Sequence, residues 1–196
     1  MISTSLKFAF IHVNKTGGSS ISTALRPWEH LPVLAGDHDN AKTVARLLTH
    51  AGYNYDHFWS FAFVRNPWDR MVSSFNYRQQ KLDKENSQSV PEGIEFGDWM
   101  RKTVAPNIGN MEWRDQSLML EDDDRNIIVD AVYRFEDLTE AWGNICSRLG
   151  LSLYLPHTNK TNHKDFRDYY DDETAAIVAK RFSRDIEMFG YSLENT

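Results

Sequence analysis

The sequence predicts an α/β protein in which a parallel sheet is flanked by helices. Three observations predict it. Two short apolar runs rich in aromatic and β-branched residues, 6–13 and 58–64, read as buried strands. Each run gives way to a glycine- or proline-containing turn and then to a helical pattern. The order strand, loop, helix then recurs, which is the signature of α/β architecture.

The elements follow in order. Leu6–Val13 (LKFAFIHV) is the first strand, Asn14–Gly18 the loop after it, and Ser19–Leu25 the first helix, closed by Pro27. Phe58–Val64 (FWSFAFV) is the second strand. Asn66 then takes the N-cap position and Pro67 the first helical position, the arrangement that suits a helix start, with Met71, Val72 and Phe75 on the apolar face. The stretch 81–110 holds Pro91, Gly93, Gly97, Pro106 and Gly109 and reads as loops around a short helix near 98–104. A further strand lies within 126–135. Leu138, Trp142, Ile145 and Leu149 recur at helical spacing, so 136–149 is an amphipathic helix closed by Gly150. A polar loop follows over 157–167. The last helix is expected over 171–188, with Val178, Phe182, Ile186 and Phe189 on one face. Its acidic residues come first and its basic ones late, as the helix dipole favours.

Composition narrows the function. The chain has 196 residues, 41% of them hydrophobic and 26% charged, which suits one domain, 1–196, with its own core. Lys and Arg number 22 against 28 Asp and Glu, a formal charge of −6. A general nucleic-acid binder carries the opposite balance, so no nucleic-acid partner is expected. An anionic small molecule would need a local cluster of cations and N–H groups working against the global sign. The single cysteine, Cys146, allows no internal disulfide and no cysteine-based zinc motif. No histidine pair has the H-x-H or H-x-x-x-H spacing of a zinc site, and no metal is expected. Residues 1–7 do not read as a signal peptide, and no apolar run approaches the roughly 20 residues of a membrane helix, so the sequence reading is cytoplasmic, without membrane insertion.

Chemistry concentrates at two strand-to-helix junctions. In Val13-Asn14-Lys15-Thr16-Gly17-Gly18-Ser19-Ser20, glycines allow close approach of the backbone to an anion, and the helix start offers unpaired N–H groups. Lys15 adds a charge, and Thr16, Ser19 and Ser20 add hydroxyls. The run reads as a phosphate cradle, though not a Walker A loop, because its lysine precedes the glycines. The competing reading is an ordinary glycine turn beside a solvated lysine. In Arg65-Asn66-Pro67-Trp68-Asp69-Arg70-Met71-Val72-Ser73, Arg65 stands at the carboxyl end of a strand, where open α/β sheets bind ligands, and with Ser73 can hold a second phosphate. An Arg–Asp pair on a well-capped helix is the alternative there.

Together FIHVNKTGGSSI and FVRNPWDRMVSSF resemble the two signatures of the sulfotransferases that use 3′-phosphoadenosine 5′-phosphosulfate (PAPS), most of all their carbohydrate-type branch. VYRFEDL and the ending RDYYDDE through RDIEMFGYSL resemble later segments of that family, so the resemblance spans most of the chain. Asn14 departs from it, standing where the family usually has proline. The resemblance implies a P-loop-like three-layer fold around a parallel sheet, and transfer of a sulfuryl group to an acceptor hydroxyl or amine by in-line displacement. It implies that Lys15 touches the bridging oxygen and 5′-phosphate, that Thr16, Gly17, Gly18, Ser19 and Ser20 hold the phosphosulfate, and that Arg65 and Ser73 hold the 3′-phosphate. It also implies a C-terminal loop closing on the nucleotide, with Lys160 or Lys164 contributing.

A hydroxyl acceptor needs a general base. Related enzymes place a His or Glu after the first helix, and His38 in Gly36-Asp37-His38-Asp39 is the first choice, since imidazole titrates near neutrality. His12 is the second choice, and Glu29 and His57 are weaker ones. Trp99 and Trp113 are the candidate aromatic contacts for a glycan or small-molecule acceptor, with the core as the alternative for most tryptophans. The acidic run 121–124 reads as a solvated turn. A kinase-like phosphate-binding enzyme and a non-catalytic nucleotide-binding protein of the same fold are the competing functions.

Overall fold

The computed structural model describes residues 1–30, 38–81, 93–104, 114–156 and 164–195. The chain forms two compact units, one of Met1–Val64 with Gln116–Asn159 and one of Arg65–Asp115 with Lys160–Thr196.

The first unit carries a sheet which, among the described residues, has four strands in the order β1 (Ile2–Ser3), β2 (Phe8–Ile11), β3 (Trp59–Val64) and β4 (Ala131–Arg134). β2 pairs with β3, and β3 with β4, in parallel. β1 adds an antiparallel edge, Ile2 opposite Ala9, that no sequence signal announced. Alternate residues of the central strands face opposite ways. Phe8, Phe10, Phe61 and Phe63 point to one face and are covered by Ile21 and Leu25 of α1 (Gly18–Leu25) and by Trp142 and Ile145 of α6 (Leu138–Leu149). On the other face Ala9, Ile11, Ala62 and Val64 are also sealed from solvent, and α2 (Ala41–His50) packs against β2 with Val44 and Leu48 buried. Burial on both faces is why these strands read as unbroken apolar runs. At the entry to β3 and β4, the Asp130 carboxylate accepts from the Ser60 N–H and hydroxyl, both at 2.7 Å, while the Asp130 N–H donates back to the Ser60 oxygen at 2.9 Å. α6 ends at Gly150, whose φ of 66° is the left-handed conformation that a C-terminal glycine supplies.

In the acidic run 121–124 a turn with exposed Asp123 and Asp124 agrees with the sequence reading, and Glu121 departs from it. Glu121 is buried at 2% exposure and pairs with Arg125 at 3.0 Å. Asp122 accepts from the N–H groups of Asp124 and Asn126, and Asp123 pairs with Lys42 and Arg46 of α2. The run is a built turn beside α5 (Ser117–Leu120), tied to residues about 80 positions earlier, which local sequence cannot reveal.

The second unit is helical among its described residues. α3 (Pro67–Lys81) begins as the sequence predicts, with the Asn66 side chain accepting from the Trp68 N–H at 3.0 Å. Trp68, Met71, Val72 and Phe75 form a core with α4 (Phe96–Trp99), the π-helical turn Met100–Val104, and α7 (Asp172–Arg181). The long last helix expected from spacing is two, α7 and α8 (Ser183–Phe189), divided at Phe182. The Phe182 N–H still bonds Val178 and the Ile186 N–H still bonds Phe182, so the apolar spacing runs through the break and hides it. Asp171 caps α7 with a reciprocal Asp171–Thr174 box. The Thr174 hydroxyl and N–H, and then Arg101, hold its carboxyl down at about 2.

Candidate functional residues at two strand-to-helix junctions

The first junction lies within the first unit. Past Ile11 the chain stays buried through His12 and Val13, then turns out. The Thr16 hydroxyl donates to the Val13 carbonyl at 2.8 Å and closes the turn from inside. Thr16 is fully buried, so its hydroxyl proton serves the loop and its main chain is what it can offer an anion. Lys15 and Gly17 both take left-handed conformations, φ 68° and 77°. For Lys15 that conformation costs on the order of 1 kcal/mol, the kind of strain that gathers at ligand sites. Gly17 occupies the N-cap position of α1 and therefore brings no side-chain cap, and the first turn holds no acidic residue. The N–H groups of Gly18 and Ser19, the first two of the helix, have no acceptor within it. Ser19 is exposed, and Lys15 and Ser20 are half-buried. A helix start whose first N–H groups have no intrahelical acceptor carries partial positive charge, which suits an anion.

Both glycines are required by their surroundings. A Cβ on Gly17 would meet the Phe135 ring at 3.0 Å besides straining the left-handed backbone. A Cβ on Gly18 would run into the His12 ring. That ring is stacked on Phe10, with centroids 5.7 Å apart, and cannot retreat into the sheet.

His38 lies against the same ring. The two imidazole centroids are 4.4 Å apart, and His38 Nδ1 is 3.2 Å from the His12 main-chain oxygen. A carbonyl can only accept, so Nδ1 carries the hydrogen, and neutral His38 presents a bare Nε2 that can take a proton. Two residues on, Asn40 accepts from the Thr43 N–H at 2.9 Å and starts α2. Burial raises the neighbouring Asp39 carboxyl, partly opposed by the chain's terminal ammonium. The structure thus brings the first two base candidates together beside Gly18. It leaves the weaker ones apart: His57 precedes β3 at the amino end of the sheet, and exposed Glu29 follows the far end of α1.

The second junction belongs to the second unit. Arg65 is 7% exposed, and its Nε donates to Asp69 at 2.8 Å, which orients the guanidinium. Asp69 and the buried Ser73 stand one turn apart on α3. The Asn66 amide donates to the Ser192 and Asn195 carbonyls, both at 2.8 Å. Sequence reasoning gave no role to Arg70, which is 1% exposed, donates to the Arg114 carbonyl at 2.6 Å and faces the fully buried Asp185 at 3.7 Å. Near it Arg181 pairs with Asp115 at 2.9 Å, yet burial and then the Asp185 charge push the Asp115 carboxyl up.

Trp99 is a core residue, 1% exposed among Phe75 and Phe96, and does not serve as an acceptor platform. Trp113 and Lys160 lie outside the described residues, and Lys164 is exposed before the helical turn Phe166–Tyr169. Cys146 is buried, which raises its thiol. Among the described residues no group of three His, Cys, Asp or Glu could hold a metal ion, and no helix is long and apolar enough to cross a membrane.

A mostly parallel sheet flanked by helices makes this an α/β protein, and its first helix starts without a side-chain cap. The chain belongs to the sulfotransferase family, whose model matches residues 1–192. Among solved structures it is similar to mouse sulfotransferase SULT7A1 complexed with PAP, with a TM-score of 0.59 at 12% identity over 95% of this chain and 86% of that one. It is also similar to a sulfotransferase from Alicyclobacillus acidocaldarius, with a TM-score of 0.48 at 15% identity over 95% and 96% of the two chains. No curated protein matches the sequence.

Proposed function

We propose that the protein, as one sulfotransferase domain over residues 1–196, moves a sulfuryl group from PAPS to a hydroxyl or amine of a glycan or small molecule. The observation that carries this reading is the loop 14–20. Its two left-handed residues leave the first N–H groups of α1 uncapped beside Lys15, and neither glycine has room for a side chain. Those features fit a phosphate-bearing donor. When bound, PAPS supplies the electrophilic sulfuryl group and departs as adenosine 3′,5′-bisphosphate.

The chain's own residues then have distinct tasks. The N–H groups of Thr16, Gly17, Gly18 and Ser19, with the Ser19 and Ser20 hydroxyls, hold the 5′-phosphate end. Lys15 sets a positive charge where negative charge grows on the leaving oxygen, the kind of preorganised charge that dominates such transfers. Arg65, oriented by Asp69, and Ser73 hold the 3′-phosphate. Lys160 and Lys164 add charge on the C-terminal side. His38 accepts the acceptor's proton at Nε2 while its Nδ1 hydrogen stays on the His12 carbonyl.

Screening glycans and small alcohols and amines with radiolabelled PAPS tests the reading. Label transfer to an acceptor by the wild-type protein, lost in Lys15→Ala, is expected. Stabilisation by adenosine 3′,5′-bisphosphate and not by ATP with magnesium separates this function from a kinase. Bisphosphate binding without label transfer to any acceptor would make the protein a non-catalytic member of the family.

A further inference from the structure

The mechanism uses His38 but leaves unexplained why a second imidazole is buried under the loop. His12 is 8% exposed, and three of its contacts meet there. One side of its ring lies along Phe10, in near-parallel stacking with 19° between planes. The edge carrying Nε2 and Cδ2 closes against Gly18, so a methyl group there has no space. His38 packs on the same ring at 4.4 Å, tilted by 54°. The main-chain carbonyl of His12 also takes the His38 Nδ1 hydrogen. One residue therefore touches both the first residue of the anion-binding helix and the proposed base.

We infer that His12 is the positioning residue for His38: its ring is the wall, and its carbonyl the latch, that hold the base in a single tautomer at a fixed place relative to the loop. The inference rests on the assignment of His38 as base and extends it. His12 touches no reacting atom. Through the carbonyl it fixes which nitrogen of His38 is bare, and through the ring it fixes where that nitrogen sits. Its contact with Gly18 makes the loop and the base one packed assembly, so a disturbance at Gly18 passes to His38 through His12. Misplacing a reacting group by about 1 Å costs up to about 100-fold in rate, the scale on which such a wall matters.

The test uses the full chain in two variants, His12→Ala, which deletes the wall, and His12→Phe, which keeps an aromatic ring without nitrogens. Nitrogen-15 NMR of labelled histidine reads the His38 tautomer directly, with or without a known acceptor. Wild-type and His12→Phe should show the Nδ1–H form, and His12→Ala a mixture with the Nε2–H form. Once an acceptor is known, His12→Ala should lower kcat about tenfold or more while the KM for PAPS stays within about threefold, and His12→Phe should restore most of kcat. The Nε2–H tautomer in the wild type would overturn the inference. So would an unchanged kcat in His12→Ala, or a loss confined to the KM for PAPS. If no acceptor is ever sulfated, the function fails, and the tautomer measurement still decides the positioning role. If His12→Ala does not fold, His12→Leu takes its place, since it keeps the main-chain carbonyl and some bulk but no ring: a tautomer mixture supports the wall, and the pure Nδ1–H form with unchanged kcat overturns it.

Discussion

Two stretches obey the same local grammar, a buried strand running into a helix, and end in opposite states. In residues 12–20 the turn is strained and open: two left-handed residues, a glycine N-cap without a capping side chain, and helix N–H groups left without acceptors. In residues 65–73 the polar groups are engaged with protein. Arg65 is paired to Asp69, the Asn66 amide bridges two carbonyls and its oxygen caps Trp68, and Arg70 is buried with Asp185. The first stretch leaves the Gly18 and Ser19 N–H groups without an acceptor inside their helix, and the second uses its polar groups to hold its own unit together. An arginine in a phosphate-binding signature is therefore not by itself a ligand contact. Arg65 and Arg70 stand five positions apart, and the second is an internal strut.

The sharpest way to break this contrast is to remove the strut. Arg70→Ala takes the arginine away from the buried Asp185 carboxylate and should lower stability by up to about 3–5 kcal/mol in chemical denaturation. Arg70→Met with Asp185→Leu should recover most of that loss, because burying a charged pair gains little over burying apolar groups. A near-neutral Arg70→Ala would mean that the second junction is not structural. Lys15→Ala should do the reverse, lowering kcat by about 100- to 1,000-fold, or ~2.7–4 kcal/mol of transition-state stabilisation, with thermal stability almost unchanged. Gly18→Ala should lower both properties. The methyl group must displace the His12 ring, an overpacking cost of about 1–3 kcal/mol, and activity falls with it.

Which of these residues can be read in sequence follows from the range of the forces involved. β2, β3, the Asn66–Pro67 start of α3 and the Gly150 stop of α6 were legible because apolar runs, caps and left-handed glycines are local signals. The loop 14–20 was legible for the same reason. The sequence reading contains no α2, although Asn40 followed by Val44 and Leu48 is a usable cap-and-face pattern that places His38 just before a helix start. The burial of Trp99 and Glu121, the Arg70–Asp185 pair and the division at Phe182 depend on partners distant in sequence, or on a break that leaves apolar spacing intact. The pairing of His12 with His38 is of the same kind: 26 residues separate them, and only the fold puts one imidazole on the other.

Two smaller effects sharpen the contrast further. Arg65→Ala should weaken adenosine 3′,5′-bisphosphate by about 10- to 100-fold, the worth of a charge-assisted hydrogen bond, and leave a 3′-dephospho analogue unaffected. Equal losses for the two ligands would assign Arg65 to structure alongside Arg70. The smallest effect is at Asp171. Its carboxyl is held at about 2 in the fold against an ordinary 3.8, so between those values the unfolded chain binds more protons. The stabilisation it provides is complete above about pH 4 and is lost as pH falls toward 2. The melting difference between wild type and Asp171→Ala should narrow over that range, and a constant difference would contradict it.

The most direct measurement of the cradle is a calorimetric titration of adenosine 3′,5′-bisphosphate into the wild-type protein and into Lys15→Ala. A saturable one-to-one isotherm in the wild type, weakened at least tenfold in the variant while its melting temperature holds, is the expected result. Equal affinity in both proteins, or no binding to the wild type, would contradict a loop 14–20 built to hold the donor.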